Sequence, residues 1–123
     1  MTDVGALIVS DGKYVLQERD AAPGIRWPGR LGLFGGGVDP GESPESAMRR
    51  ELAEELEFHP NGLMWWDKFP DLVIFVFNCS AAEVANFKLH EGRAIRVMTA
   101  DEALADSRLI PIVAQLIRDH RNG

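Results

Sequence analysis

The chain has 123 residues, 46% of them hydrophobic, which is enough for one core and too little for two separate domains. Its 19 acidic residues against 13 basic ones give a formal net charge of -6, so we expect no affinity for a polyanion such as a nucleic acid duplex. A phosphate ligand would need a local source of positive charge, which a bound divalent cation supplies. Residues 1–123 are therefore predicted to form a single domain.

The cysteine content and the chain start bear on the compartment. Cys79 is the only cysteine, which excludes an intrachain disulfide and the framework of a small secreted domain. The first residues lack the basic and then apolar pattern of a signal peptide, and no apolar run approaches the ~20 residues that cross a bilayer. We expect a cytoplasmic protein with no membrane partner, in which Cys79 closes an apolar strand as a buried, unreactive side chain.

The chain begins with a predicted β-hairpin. Residues 4–9 are apolar and rich in branched side chains, and residues 14–19 alternate between apolar and polar. Asp11 and Gly12 lie between the two segments and are typical of a tight hairpin turn. Two antiparallel strands are therefore expected here.

A loop and a short strand follow the hairpin. Residues 20–30 contain two Pro-Gly pairs, which argue against regular structure. Residues 31–34 are apolar and are predicted to form a strand that ends at the three glycines of residues 35–37. Because glycine has no side chain, the backbone there can turn sharply or approach a ligand closely, which marks a candidate site.

The next segment is predicted to be a helix. Ser43 and Pro44 have the form of an N-cap and a first helical residue, and residues 46–56 are acceptable helix formers. Met48 and Leu52 begin an apolar stripe with i+4 spacing, so one side of the helix is expected to pack on the core. Its acidic residues then project from a neighbouring side.

The second half of the chain alternates between strands and helices. Three further strands are predicted, at residues 63–69, 72–79 and 95–98. The middle one is so continuously apolar that both of its faces are expected to be covered. Thr99 and Glu102 form a predicted capping box for a short helix, and residues 109–120 have helical spacing despite Pro111. The order of elements favours an α/β fold with a mixed β-sheet between helices.

The helix at residues 46–56 carries a strip of carboxylates. Glu51 and Glu55 lie one turn apart with Glu54 beside them, and like charges this close cost about 0.2–0.5 kcal/mol per pair. Arg50, one turn before Glu54, offsets only part of that repulsion. A hard divalent cation would convert it into binding energy, and Mg²⁺ prefers a few carboxylates together with waters and phosphates. The alternative is a solvated acidic helix face.

The residues from Gly36 to Phe58 resemble the signature of the Nudix hydrolase family, G-x5-E-x7-R-E-U-x-E-E-x-G-U, in which U is a bulky apolar residue. The matching positions are Gly36, Glu42, Arg50, Glu51, Leu52, Glu54, Glu55 and Phe58. Glu57 departs from the signature, because it stands at the second glycine, where the helix ends and a left-handed backbone costs a non-glycine residue about 1 kcal/mol. The resemblance implies the family's α/β/α sandwich.

The resemblance also implies roles for individual residues. The implied metal ligands are Glu51, Glu54, Glu55, the carbonyl oxygen of Gly35 or Gly36, and Glu91 in the segment His90-Glu91-Gly92. The implied catalytic residues are Glu51, Glu54, Glu55, Glu91 and Arg50, with Arg50 paired to Glu42 or Glu54. An ordinary loop acid is the alternative reading of Glu91. The implied cofactor is Mg²⁺, with Mn²⁺ as the alternative ion.

The reaction implied by the resemblance is a Mg²⁺-dependent pyrophosphohydrolysis in which water attacks phosphorus. The substrate is a nucleotide-like small molecule in which a nucleoside diphosphate is linked to another moiety, such as a nucleoside triphosphate, ADP-ribose or a nucleotide sugar. One alternative is a nucleotide-binding module or sensor without hydrolysis, against which the complete set of signature carboxylates argues. Another alternative is an interaction protein with a solvated acidic helix. The glycines of residues 35–37 and Glu42 argue against it, because they stand in register with the rest of the signature. A homodimer is left open.

Substrate contacts are expected from the loop at residues 20–30 and its flanks. Arg19, Arg26 and Arg30 can meet phosphate or sugar groups at the mouth of the site, with solvated surface arginines as the alternative. Aromatic side chains can stack on a base, with core packing as the alternative. These aromatic candidates are Trp27, Trp65, Trp66 and Phe69. The histidines have no metal-ligand spacing and receive no catalytic role; they are His59, His90 and His120.

Overall fold

A computed structural model of the protein describes residues 2–123 apart from the side chain of Asp67. Within this range the strands are β1 (Asp3–Ser10), β2 (Lys13–Glu18), β3 (Leu31–Gly32), β4 (Phe34–Gly37), β5 (Met64–Phe69), β6 (Leu72–Asn78) and β7 (Ala94–Met98). The helices are α1 (Pro44–Leu56), α2 (Ala81–Ala85), α3 (Ala100–Ala105) and α4 (Pro111–Asn122).

The strands form one mixed sheet around β1. Along one edge β1 pairs in parallel with β6, and β5 continues the sheet beyond β6. Along the other edge, the first half of β1 pairs with β4 and its second half pairs with β2, both antiparallel. The sheet therefore forks at β1, and β7 and β3 extend the β2 branch.

The predicted hairpin is confirmed. Strands β1 and β2 pair in antiparallel register with Ile8 opposite Val15. The turn residues Asp11 and Gly12 have φ angles of 49° and 73°, the left-handed backbone that a tight hairpin turn requires.

Helices cover both faces of the sheet, and the predicted α/β fold with a mixed sheet between helices is confirmed. On one face, Met48 and Leu52 of α1 pack in a buried cluster with Ile8 of β1. On the other face, Leu7 of β1 packs with Leu116 of α4. Because neighbouring residues of a strand point to opposite faces, β1 contributes to both cores.

The apolar run of β6 behaves as its sequence predicts. Val73 and Phe75 lie in the cluster under α1, and Ile74 lies in the cluster under α4. All three are buried. Both faces of β6 are therefore covered, as expected for a strand without polar alternation.

Helix α1 begins and ends where its sequence signals indicate. The Ser43 hydroxyl accepts a hydrogen bond from the Ser46 N–H at 3.1 Å, and Pro44 opens the first turn. Glu57 ends the helix with φ 51° and ψ 41°, so the expected left-handed backbone is present although the residue is not glycine. Its N–H donates to the Ala53 carbonyl at 3.0 Å.

The predicted boundaries differ most from the observed ones at two places. The single strand expected at residues 31–34 is instead two strands: β3 pairs with β2 and ends at Gly32, and β4 pairs with β1 through its backbone and continues to Gly37. Helix α4 begins at Pro111 and not at residue 109, because Leu109 bridges to Leu31 and Ile110 is the N-cap.

Helix α2 was not predicted. Its N-cap Ser80 accepts a hydrogen bond from the Glu83 N–H, and the Glu83 carboxylate accepts one from the Ser80 N–H. The capping box was visible in the sequence, but five residues are too few for a helical apolar pattern.

Two further observations concern Cys79 and membranes. Cys79 is buried, as predicted, and burial raises the pKa of its thiol to about 11. In the described part of the chain, no helix combines the length and apolar character required to span a bilayer.

Candidate active site

The floor of the candidate site is the glycine backbone of β4. Gly35 has a φ of 153°, and a Cβ there would lie 2.0 Å from the Val4 carbonyl oxygen. A Cβ on Gly36 would lie 2.5 Å from Glu51 Oε1. Glu51 of α1 can therefore approach β4 closely only because Gly36 has no side chain, whereas the space beside Gly35 is taken by the backbone of β1.

Three carboxylates from two segments gather above this floor. Glu51 and Glu55 from α1 and Glu91 from the loop before β7 each offer an oxygen within 4.8 Å of the others. Glu54 lies outside this group, with its side chain 59% exposed and Oε2 3.4 Å from Arg50 Nη1. Hard oxygen donors of this kind fit Mg²⁺ or Mn²⁺.

The buried carboxylate of Glu55 is the most perturbed acid of the group. Only 3% of the residue is exposed, and burial raises its pKa to about 10, helped by a hydrogen bond to Glu91 and the charges of Glu91 and Glu51. The Gly35 N–H, which donates to Glu55 Oε2 at 3.0 Å, acts in the opposite direction. Burial and the neighbouring acids therefore favour the protonated form of Glu55 at neutral pH.

Glu51 is perturbed in the same direction for a related reason. Partial burial raises its pKa, while a hydrogen bond and the charge of Arg50 oppose the shift, and the charges of Glu54 and Glu91 reinforce it. Two acids of one cluster that both disfavour the charged state are typical of a site completed by a cation.

Arg50 of helix α1 connects the helix to strand β4 and to Glu42 in the loop between them. Its Nε and Nη2 donate to the two carboxylate oxygens of Glu42 at 2.8 and 3.0 Å, and Nη2 also donates to the Gly37 carbonyl at 2.9 Å. Its Nη1 donates to Glu51 Oε1 at 3.0 Å and lies 3.4 Å from Glu54. Both predicted pairings are present, and Glu42 has the shorter, two-pronged one. These contacts raise the pKa of Arg50 and lower that of Glu42.

The Glu91 loop is held by backbone and side-chain contacts. The His90 N–H donates to the Glu55 carbonyl at 2.7 Å, which attaches the loop to the last turn of α1. The Gln17 side chain donates to the Glu91 carbonyl at 3.1 Å from the β2 side. Gly92 has a φ of 92°, and a Cβ there would meet the Gln17 side chain at 2.8 Å.

Two of the clustered carboxylates, those of Glu55 and Glu91, open into a cavity of about 520 Å³, whereas Glu51 is not among its described lining residues. Among the residues singled out from the sequence, its lining includes Arg19, Arg26, Trp27, Gly35, Gly36, Glu55 and Glu91. Arg30 is not part of the lining. Its guanidinium lies 5.4 Å from the centre of the Trp27 ring, and its Nε donates to the Arg108 carbonyl at 2.8 Å.

The loop that carries Trp27 stands over this cavity. Trp27 has a left-handed φ of 55° and is 38% exposed, so its ring is available to a ligand. Arg19 Nε donates to the Arg26 carbonyl at 2.8 Å, which attaches the loop to the end of β2. Trp65 and Trp66, the other tryptophan candidates, are absent from the described lining of this cavity.

Sequence reasoning missed much of the cavity wall. Asp3 and Asp71 add acidic groups, and α4 and the residue before it add apolar ones. The missed lining residues are Asp3, Val4, Gly5, Leu33, Asp71, Leu72, Ile110, Ile112 and Val113. They come from chain segments far apart, and no local pattern marks them before the fold is known.

The comparison with known families agrees with the signature residues. The family model of the NUDIX domain matches residues 1–119. The chain belongs to the Nudix hydrolase family. This Nudix protein is 49% identical over 55 residues to the nucleoside triphosphatase NudI of Escherichia coli O1:K1, a match that covers 45% of the chain and 38% of that relative. The chain thus matches less than half the length of that relative.

Solved structures share the fold over nearly the whole chain. The MutT protein of Methanosarcina mazei Go1 superposes with a TM-score of 0.75 at 23% identity, covering 99% of this chain and 94% of that one. The NUDIX domain of Shewanella oneidensis NrtR, complexed with ADP ribose, superposes with a TM-score of 0.76 at 19% identity, covering 99% and 86%. At these identities the two solved structures show a shared fold.

Proposed function

We propose that this Nudix protein is a divalent-cation-dependent pyrophosphohydrolase that cleaves a nucleoside diphosphate linked to another moiety, with nucleoside triphosphates as the first candidates. The observation that supports the proposal is the cluster of Glu51, Glu55 and Glu91, of which Glu55 and Glu91 line the same cavity as Arg19 and Arg26. The similarity to a nucleoside triphosphatase over 55 residues supports the choice of substrate.

The proposed cation is held by Glu51, Glu55 and Glu91, with a carbonyl oxygen of Gly35 or Gly36 and Glu54 as further ligands. A bound Mg²⁺ or Mn²⁺ would supply positive charge to the phosphate oxygens and would make a water a stronger nucleophile. To serve as a ligand, Glu55 would have to give up the proton that its burial favours.

The chain's own residues supply binding, orientation and a proton acceptor. Arg50 holds the Glu51 carboxylate through its 3.0 Å hydrogen bond. Arg19 and Arg26 neutralise the phosphates, and the Trp27 ring offers a face on which a base can stack. In the reaction a water oxygen bonds to phosphorus, the bridging oxygen leaves, and a glutamate of α1 accepts the water's proton.

A substrate panel tests this proposal. The protein is incubated with nucleoside triphosphates, ADP-ribose and nucleotide sugars, with and without Mg²⁺, and release of nucleoside monophosphate and of pyrophosphate or phosphate is measured. We expect cation-dependent release of a monophosphate from at least one nucleoside triphosphate. Equal turnover after removal of all cations with a chelator would contradict the mechanism.

A second candidate function is a Nudix nucleotide-binding module without hydrolysis. The observation that favours it is the shared fold with the NUDIX domain of NrtR, whose structure contains ADP ribose. If no compound turns over while ADP-ribose raises the melting temperature, the binding module replaces the enzyme.

Compartment and assembly are also proposals. A reducing cytoplasm is supported by Cys79, which is buried as a free thiol. Light scattering coupled to size-exclusion chromatography tests whether the protein forms a homodimer.

A further inference from the structure

Glu57, the residue that departs from the Nudix signature, contacts the loop that carries Glu91. Its carboxylate oxygen Oε2 is hydrogen-bonded to His90 Nε2, and Oε1 lies 4.0 Å from Lys88 Nζ. The glycine that the signature has at this position would make neither contact.

The same loop is attached to α1 through its backbone. The Lys88 N–H donates to the Leu56 carbonyl at 3.0 Å, and the His90 N–H donates to the Glu55 carbonyl at 2.7 Å. The accepting carbonyls are those that the end of a helix leaves without partners. The loop therefore supplies hydrogen-bond donors to the last carbonyl groups of α1. The contact between Glu57 and His90 adds a side-chain link at the same place.

Glu91 lies between two independent attachments. His90 precedes it and is fixed to the end of α1, while the buried Gln17 side chain donates to the Glu91 carbonyl from β2. Glu91 itself is exposed and belongs to the carboxylate cluster. Both attachments act on the backbone beside Glu91 and restrict where its carboxylate can lie.

We propose that Glu57 and His90 are positioning residues that hold Glu91 in the cation site, so that the departure from the signature glycine strengthens cation binding. The inference rests on the proposed cation site and concerns how this chain in particular completes it. An exposed ion pair contributes little to overall stability, so its effect is expected in cation affinity and not in the melting temperature.

The deciding variant is Glu57→Gly, which restores the signature residue and removes the link to His90. Mn²⁺ alone is titrated into metal-free protein by calorimetry at neutral pH, and the melting temperature is measured in parallel. We expect the Mn²⁺ affinity to fall roughly 10-fold, the lower end of what second-shell partners contribute. The melting temperature should change by less than about 4 °C, because glycine also relieves the left-handed backbone.

Asp11→Gly is the matched control. Asp11 also has a left-handed backbone, with a φ of 49°, but it lies in the hairpin turn and is not one of the clustered acids. This variant should leave the Mn²⁺ affinity unchanged. Glu57→Gln separates the hydrogen bond from the charge, because its amide oxygen still accepts from His90, and it should retain most of the affinity.

The combination with Glu91→Gln tests whether Glu57 acts through Glu91. In that background Glu57→Gly should cause no further loss of Mn²⁺ affinity, because the ligand that it positions is already altered. An equal further loss, or a Glu57→Gly affinity within about twofold of the parent, would overturn the proposal. If Glu57→Gly does not fold, His90→Ala is measured by the same criteria.

The affinity measurement also separates this inference from the proposed function. A protein that binds Mn²⁺ but hydrolyses none of the panel compounds would contradict the proposed function and still allow the Glu57 variants to be compared. A protein that hydrolyses a nucleotide with unchanged Mn²⁺ affinity in Glu57→Gly would contradict only the role of Glu57.

Discussion

Two walls of the cavity are built in different ways. The carboxylate wall rests on helix α1, where Glu55 is buried and Arg50 joins Glu42, Glu51 and β4 in one hydrogen-bonded group. The facing loop at residues 20–30 is attached mainly at its base, through contacts such as the Gly29 N–H to the Asp20 carbonyl at 2.9 Å. We infer that the first wall fixes the chemistry and that the second sets substrate preference.

The sharpest test of the carboxylate wall is Glu55→Gln. This change keeps the shape of the side chain and removes the charge, so we expect kcat/KM to fall more than about 100-fold, beyond the range for second-shell partners. Circular dichroism should show an intact fold. The control is Glu45→Gln on the exposed first turn of α1, which should retain parental activity. Parental turnover in Glu55→Gln would remove this residue from the site.

The pH dependence of the metal-free protein tests the same wall without substrate. Because the folded-state pKa of Glu55 is raised to about 10, the folded protein holds a proton that the unfolded chain loses above its ordinary pKa of 4.5. Stability is therefore complete below that ordinary value and falls as pH rises toward the folded-state value, by up to about 1.4 kcal/mol per pH unit.

Thermal unfolding of metal-free protein between about pH 6 and pH 9 measures this loss. Glu55→Gln should flatten the dependence, and saturating Mg²⁺ should reduce it in the parent protein because the cation replaces the proton. A melting temperature that rises over this range would contradict the assignment of a buried, protonated Glu55.

Arg50→Lys tests the hydrogen-bonded group behind the carboxylates. Lysine keeps the charge but cannot reproduce the two-pronged contact with Glu42 together with the contact to Glu51, so kcat/KM should fall roughly 10-fold to 100-fold. Arg49→Lys, one position earlier on the same helix, is the control and should have little effect. Equal rates in the two variants would show that the geometry around Arg50 is dispensable.

Trp27→Ala addresses the loop wall and should have the smallest effect. Loss of a stacking face should raise KM about 10-fold, a value typical of base stacking, with kcat nearly unchanged. Trp65→Ala is the control, because Trp65 is exposed on β5 and absent from the described cavity lining. A fall in kcat with unchanged KM would show that Trp27 contributes to the chemical step, as the carboxylate wall does, and not to substrate binding.

Local signals in the sequence accounted for the elements that depend on them. The Asp11-Gly12 turn and the caps of α1 each rest on one or two residues with a strong conformational preference, and both were predicted at the correct place. The boundary of β4 is not predicted correctly, because its pairing with β1 is a contact between backbones that no side-chain pattern marks.

In the candidate site, too, the residues with local sequence signals are predicted, and those that depend on long-range contacts are not. Helical spacing groups Glu51, Glu54 and Glu55, but the structure gathers only Glu51 and Glu55 and leaves Glu54 exposed. Glu91 is predicted only from the family resemblance, because its approach depends on the path of the loop before β7. The link between Glu57 and His90 had no sequence signal. Glu57 was read only as a departure at the end of a helix, and His90 received no role.

The two adjacent glycines of β4, Gly35 and Gly36, are intolerant of substitution for different reasons. A methyl group at Gly35 would strike the backbone of β1, which has no room to move, so the injury would be to folding. At Gly36 the same methyl group would meet the end of the Glu51 side chain, which can swing aside, so the protein would keep its shape and misplace one carboxylate. Substitutions at two neighbouring glycines should thus have different effects: the one at Gly35 impairs folding, and the one at Gly36 impairs only the chemistry of the site.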